Sequence, residues 1–156
     1  MRSRALAFIV GLITLSFFPG ASRASDSEVV EREKRLQDVV DDLKGRLKIP
    51  DRVAVAIVPV NKLVVSVERA KNREGGFTLS IEDGFVQRLS DAEVSAVVAH
   101  ELGHVWIYTH HPFLQTEELA NEVAMRVVSR DVLESLYSKV WERTGTKGTL
   151  TYLPGR

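Results

Sequence analysis

The chain has no cysteine. This excludes disulfides, thiolate metal ligands and a lipid anchor on an N-terminal cysteine, so any metal must be held by His, Asp or Glu. An excess of one charge is also missing: 21 basic residues balance 21 acidic ones. Without a broad field there is no electrostatic reason for a nucleic-acid partner, and none is expected. Local runs such as Glu31-Arg32-Glu33-Lys34-Arg35 alternate in sign and read as a solvated helix face. Internal repeats and low-complexity tracts are absent. Histidine is scarce, with four in the chain, so two of them spaced for one helix face stand out.

What is present suits one compact domain: 156 residues, 44% of them hydrophobic. The N-terminus reads as an export signal. Arg2 and Arg4 precede an apolar stretch from Ala5 to Phe18, which is short for a membrane span. Pro19 and Gly20 end it, and Ser22-Arg23-Ala24 offers small residues for cleavage after Ala24. Residues 1–24 are thus a signal peptide and 25–144 a folded domain outside the cytoplasm, periplasmic or secreted. Membrane contact is expected only if the signal stays uncleaved and anchors the chain through residues 5–18. Residues 145–156, with three glycines and a proline, are expected to form a mobile tail.

Within the domain, Leu36, Val40, Leu43 and Leu47 recur at helical spacing and predict an amphipathic helix over 27–48. Val53–Val58 is a β-branched strand, and Leu63–Glu68 follows after Asn61-Lys62, which predicts a hairpin. Phe77–Ile81 alternates apolar with polar and predicts a third strand. Ser90-Asp91-Ala92-Glu93 has the form of a capping box and predicts a helix from there to about Tyr108. Thr116 is a plausible N-cap for a further helix to about Arg130, and a last helix covers roughly 131–143. The fold class is α+β: a helix, a small three-stranded sheet, then three helices.

The chemistry lies in the first of those three. His100-Glu101-Leu102-Gly103-His104 places two imidazoles one turn apart on one helix face, where both can reach a single ion. Glu101, beside the first, can reach water held by that ion. This is the H-E-x-x-H pattern of zinc metalloproteases, two ligands and a general base. A catalytic zinc needs a third protein ligand and an open position for water.

The stretch from Leu89 to His104 resembles the active-site helix of peptidase family M48. Glu117-Glu118-Leu119-Ala120-Asn121 is similar to that family's second motif, and to the E-x-x-A-N motif of ImmA/IrrE-type metallopeptidases. Twelve residues separate His104 from Glu117, and Asn121 stands where the M48 motif has aspartate. The resemblance implies a minimal gluzincin: Zn2+ on His100, His104 and Glu117, with Glu101 as base. In a helix starting near Thr116, Glu117, Ala120, Asn121 and Ala124 share one face, and the alanines would permit close approach to the zinc helix. Asn121 could then hydrogen-bond a ligand.

The expected function is that of a zinc metalloendopeptidase acting on peptide or protein substrates. The resemblance also implies that a strand preceding the zinc helix pairs with extended substrate; Phe77–Ile81 is either that strand or simply an edge strand of a small sheet. The alternative is a catalytically inactive zinc-binding or helical protein-interaction module. The sequence assigns no oxyanion donor. His110, His111, Tyr108, Arg126 and Tyr137 are within range in sequence, but each is more often a surface or packing residue.

Overall fold

The computed structural model of the chain describes residues 26–71, 75–146, 148 and 153. The segment read as a signal, 1–24, lies outside the described residues, as does most of the tail. Leu153, within that tail, is buried in the core. Among the described residues no helix is long and apolar enough to cross a membrane.

The elements run α1 (Asp26–Arg46), β1 (Val53–Val58), β2 (Val65–Arg69), β3 (Phe77–Glu82), α2 (Asp83–Val86), α3 (Asp91–His110), α4 (Glu117–Ala124) and α5 (Arg130–Thr144). This is the expected α+β class. The apolar stripe of α1 buries Leu36, Val40 and Leu43, and Leu47 follows just beyond the helix end. They meet Leu79 and Ile81 of the sheet and Val98 and Leu102 of α3 in one core.

The strand order corrects the expected hairpin. The sheet is ordered β1-β3-β2, with β3 parallel to β1 and antiparallel to β2. Phe77–Ile81 is therefore the central strand, not an edge. The turn after β1 explains the gap. Asn61 accepts from the Leu63 amide at 2.9 Å and donates to Ser80 O and Ser66 Oγ, both at 3.1 Å. Val64 takes φ 68°, an uncommon conformation for a β-branched residue. The chain is thereby carried one strand-width past β1, and β3 fills the space.

The two sheet edges differ in what covers them. Along β1, Gln37 of α1 bonds Val53 O and Val55 N, and Glu33 accepts from Ile57 N at 2.8 Å. These side chains close that edge to further strand pairing. On β2, Val64 O accepts from Glu82 N and Ala70 N donates to Gly76 O. By the alternation of an antiparallel ladder, Ser66 and Glu68 also face β3, while the backbone groups of Val65, Val67 and Arg69 point away.

Helix α3 begins at the predicted capping box: Ser90 Oγ accepts from Glu93 N, and Glu93 Oε2 accepts from Ser90 N at 2.8 Å. Glu93 is buried, and α5 completes the box. Lys139 Nζ lies 2.6 Å from Glu93 Oε2, and Ser135 Oγ donates to Oε1 at 2.8 Å. Burial pushes the Glu93 carboxyl up, but Lys139, the Ser90 amide and the two serine hydroxyls outweigh it and hold it at about 2. A carboxylate held below its ordinary 4.5 stabilises the fold above that value and loses the contribution as pH falls toward the lower one. Glu93→Gln is expected to cost about 1–3 kcal/mol at neutral pH. The gap between variant and wild type should narrow below pH 4.5. Urea unfolding of both at pH 7 and pH 3 measures it, and an equal gap at the two pH values would refute the assignment.

Helix α3 continues to His110, a little beyond its expected end, and α4 is shorter than expected, stopping at Ala124. Thr116 caps α4 by accepting from Leu119 N at 3.2 Å. Helices α3 and α4 touch at Gly103. A Cβ there would lie 2.9 Å from Ala120 Cα and would overlap the Ala120 carbonyl. The glycine inside the motif thus lets α4 reach the two histidines.

Candidate metal centre and active-site cleft

His100 and His104 turn their Nε2 atoms toward each other, 3.2 Å apart. Glu117 completes a triangle, with Oε2 at 3.2 Å from His100 Nε2 and Oε1 at 3.4 Å from His104 Nε2. The structure therefore brings together all three residues singled out as ligands. Glu118 and Glu122 are exposed on the remainder of α4.

The outer nitrogens of both imidazoles are occupied. His100 Nδ1 lies 2.8 Å from Asn121 Oδ1, and His104 Nδ1 lies 3.1 Å from Gln115 Oε1. Gln115 Nε2 donates to His104 O at 3.2 Å, which fixes which end of the amide faces the ring. Asn121 Nδ2 in turn bonds the Tyr137 hydroxyl at 2.8 Å. Two amide oxygens call for hydrogen on each Nδ1, so each neutral ring presents a lone pair at Nε2. Two ring nitrogens and a carboxylate then converge on one point, an arrangement that suits a shared cation. Ligands about 2.0–2.1 Å from one ion at tetrahedral angles stand about 3.4 Å apart. The observed 3.2–3.4 Å spacing fits such an ion.

Without a metal, a proton on Nε2 can stand where the cation would, and the electrostatics describe that state. Hydrogen bonds to His100 and His104 hold the Glu117 carboxyl far below the ordinary range, against its partial burial. Burial alone would lower His104, yet Glu117 and Gln115 outweigh it and raise the imidazole. Glu101 is 8% exposed. Desolvation raises its carboxyl above the usual value, opposed by His100, His104 and a hydrogen bond from the Val67 backbone.

The triangle opens into a cleft of about 640 Å³. One wall is β2 with Leu63, and the other is α3 from Val97 to Tyr108 with Tyr137 and Val140 of α5. The strand facing His100, His104 and Glu117 is therefore β2, not the expected Phe77–Ile81. Of the residues considered as oxyanion donors, Tyr108 and Tyr137 line the cleft. His110 stacks on Trp106 at 4.3 Å between ring centroids, His111 lies against its edge, and Arg126 sits 4.9 Å from its centroid. None of these three lines the cleft.

The residues singled out in the sequence, His100, Glu101, His104, Glu117 and Asn121, lie together in the structure. Gln115, Gly103 and the Val67 amide, which also meet this group, were not singled out there. Gly103 carried a signal, since glycine inside a strong helix asks for a close-packing reason. Gln115 lies in a loop and the Val67 contact depends on strand order, so no local pattern marks them.

Two helix histidines, a carboxylate from the next helix and a buried glutamate beside an open sheet edge define a metallopeptidase-type centre. The model of peptidase family M48 matches residues 31–153, and the chain belongs to that family. Over 117 residues it is 26% identical to a protease HtpX homologue of Methanopyrus kandleri, a stretch covering 74% of this chain and 36% of that protein. It is also 26% identical over 110 residues to an uncharacterized protein of Aquifex aeolicus, covering 70% of this chain and 91% of the other. The crystal structure of the metallopeptidase zymogen of Pyrococcus abyssi abylysin has a similar fold. The TM-score is 0.51 at 15% identity, over 73% of this chain and 99% of that one.

Proposed function

We propose that the protein is a zinc-dependent endopeptidase acting outside the cytoplasm, with Glu101 as general base. The observation that carries this reading is the convergence of His100, His104 and Glu117 next to the buried Glu101. Zinc bound there would polarise a scissile carbonyl and lower the pKa of its water from 15.7 to about 7. The remaining work falls to the chain's own residues. Glu101 Oε takes a proton from the attacking water and delivers it to the departing amine. The Val67 amide orients that carboxylate. The outward backbone groups of Val65 and Arg69 would hold an extended peptide along β2 by strand addition. Asn121 and Gln115 keep Nε2 of each histidine turned inward.

The basic start, apolar stretch and small residues of Arg2–Ala24 support export. The test is to express the full chain, sequence the N-terminus of the accumulated protein and assay it on casein and a diverse peptide library. The expected outcome is a chain starting at Ser25 that cleaves internal peptide bonds, is silenced by a chelator and is restored by zinc. A zinc-loaded protein that cleaves nothing would favour the inactive module. An intact residue 1–24 segment in the membrane would mean an anchored enzyme.

A further inference from the structure

We propose that Gln115 is the positioning residue that selects the ligating nitrogen of His104. The inference rests on the reading that the site holds zinc. Among the described residues, His104 has no buried partner comparable to Asn121, which sits fully buried on α4 beside His100. Its Nδ1 meets a side chain from the exposed connection between α3 and α4. Gln115 makes two bonds to the one residue. Its oxygen accepts from Nδ1, while its amide nitrogen donates to the His104 carbonyl. That second bond is the informative one. It prevents the amide from turning over, so the atom facing the ring is always an acceptor, and Nδ1 must carry the hydrogen. The lone pair is then confined to Nε2, the atom 3.4 Å from Glu117 Oε1.

The backbone holds Gln115 in place from both sides. His111 N donates to Ile107 O at 2.7 Å and Leu114 N to His111 O at 2.9 Å. On the other side Thr116 is fixed as the N-cap of α4. A residue between a helix end and a helix cap has little freedom. The side chain therefore reaches back over α3 along a defined path, despite its exposure. Loss of such a support to a metal-binding histidine typically lowers metal affinity by about 10–100-fold.

The test compares wild type, Gln115→Leu and Gln115→Glu in the metal-free and zinc-bound states. Zinc affinity is read by competition with a chromogenic chelator. The His104 tautomer is read from imidazole nitrogen-15 shifts of the metal-free protein at a pH where the ring is neutral. The expected results are an Nδ1–H tautomer for His104 in wild type and a loss of that preference in Gln115→Leu. Zinc affinity should fall about 10–100-fold in Gln115→Leu and recover in part in Gln115→Glu, whose carboxylate can still accept from Nδ1 but cannot donate to the His104 carbonyl. An Nε2–H tautomer in metal-free wild type would overturn the proposal, as would unchanged affinity in Gln115→Leu. Failure of the wild type itself to bind zinc would sink the zinc reading alone, because the tautomer comparison needs no metal.

Discussion

Glu101→Gln is expected to bind zinc like wild type and to hydrolyse peptides at least about a hundredfold more slowly. The substitution keeps the shape of a side chain that is 8% exposed and packed between α3 and β2. It also keeps an oxygen able to accept from the Val67 amide. What it removes is a carboxylate that can take a proton from water. His100, His104 and Glu117 bear no bond that depends on Glu101, so the ligand triangle should persist. Removing a buried charge has a second consequence. Desolvation raises the Glu101 carboxyl, which means that its charged form is costly in the fold. The raised pKa makes ionisation less favourable folded than unfolded, so the neutral amide is not expected to destabilise the metal-free protein and can stabilise it at neutral pH. The measurement is zinc stoichiometry, thermal midpoint and peptide turnover on the same preparation. Wild-type turnover by a zinc-loaded Glu101→Gln protein would remove Glu101 from the mechanism.

How far the sequence reaches can be seen by following α3 and β2 side by side. The capping box of Ser90 and Glu93, the histidine face and the Thr116 cap all depend on residues within four positions of one another. Local hydrogen-bond geometry fixes them, and they appear as expected. The pairing of β2 depends instead on which strand wins its hydrogen bonds. Consecutive strands usually neighbour each other, and Asn61-Lys62 looks like a hairpin turn. The fold goes the other way because Asn61 spends its side chain on Ser66 and the β3 backbone, and Val64 turns left-handed. Neither choice leaves a mark in a hydrophobic pattern. A central strand also reads like an edge strand, since side chains alternate in both. The consequence reaches the site itself. The strand beside His100, His104 and Glu117 is β2, and Val67 is the residue whose amide meets Glu101. Both facts follow from the strand order. Gln115 shows the same division, because its role is set by two helix ends meeting across a connection.

Glu117→Ala is expected to weaken zinc binding by more than the 10–100-fold typical of an outer-shell support, while Glu118→Ala and Glu122→Ala bind like wild type. All three glutamates lie within six residues on α4, so composition and local charge are nearly matched and position alone separates them. Glu117 is the one whose two oxygens each face a histidine Nε2. Its place in the first turn is favourable on other grounds, since the helix N-terminus attracts negative charge. That effect belongs equally to Glu118, and it is worth only about 0.3–1 kcal/mol. If first-turn charge were all that Glu117 supplied, the two alanine variants would behave alike. Ligation predicts a different pattern. Metal that binds only the folded state stabilises it by about 4.1 kcal/mol at a thousandfold excess over the dissociation constant. Zinc should therefore raise the melting temperature of wild type, Glu118→Ala and Glu122→Ala together. Glu117→Ala should melt at nearly the same temperature with and without zinc. His100→Ala and His104→Ala should share that indifference, because each leaves two ligands where the site needs three. Metal-free melting supplies the control: the half-exposed Glu117 carboxylate is itself held by His100 and His104, so any cost of its removal is read there, and the zinc-dependent rise alone reports ligation. A full zinc-dependent rise in Glu117→Ala, together with its loss in Glu118→Ala or Glu122→Ala, would move the third ligand along α4 and overturn the centre described here.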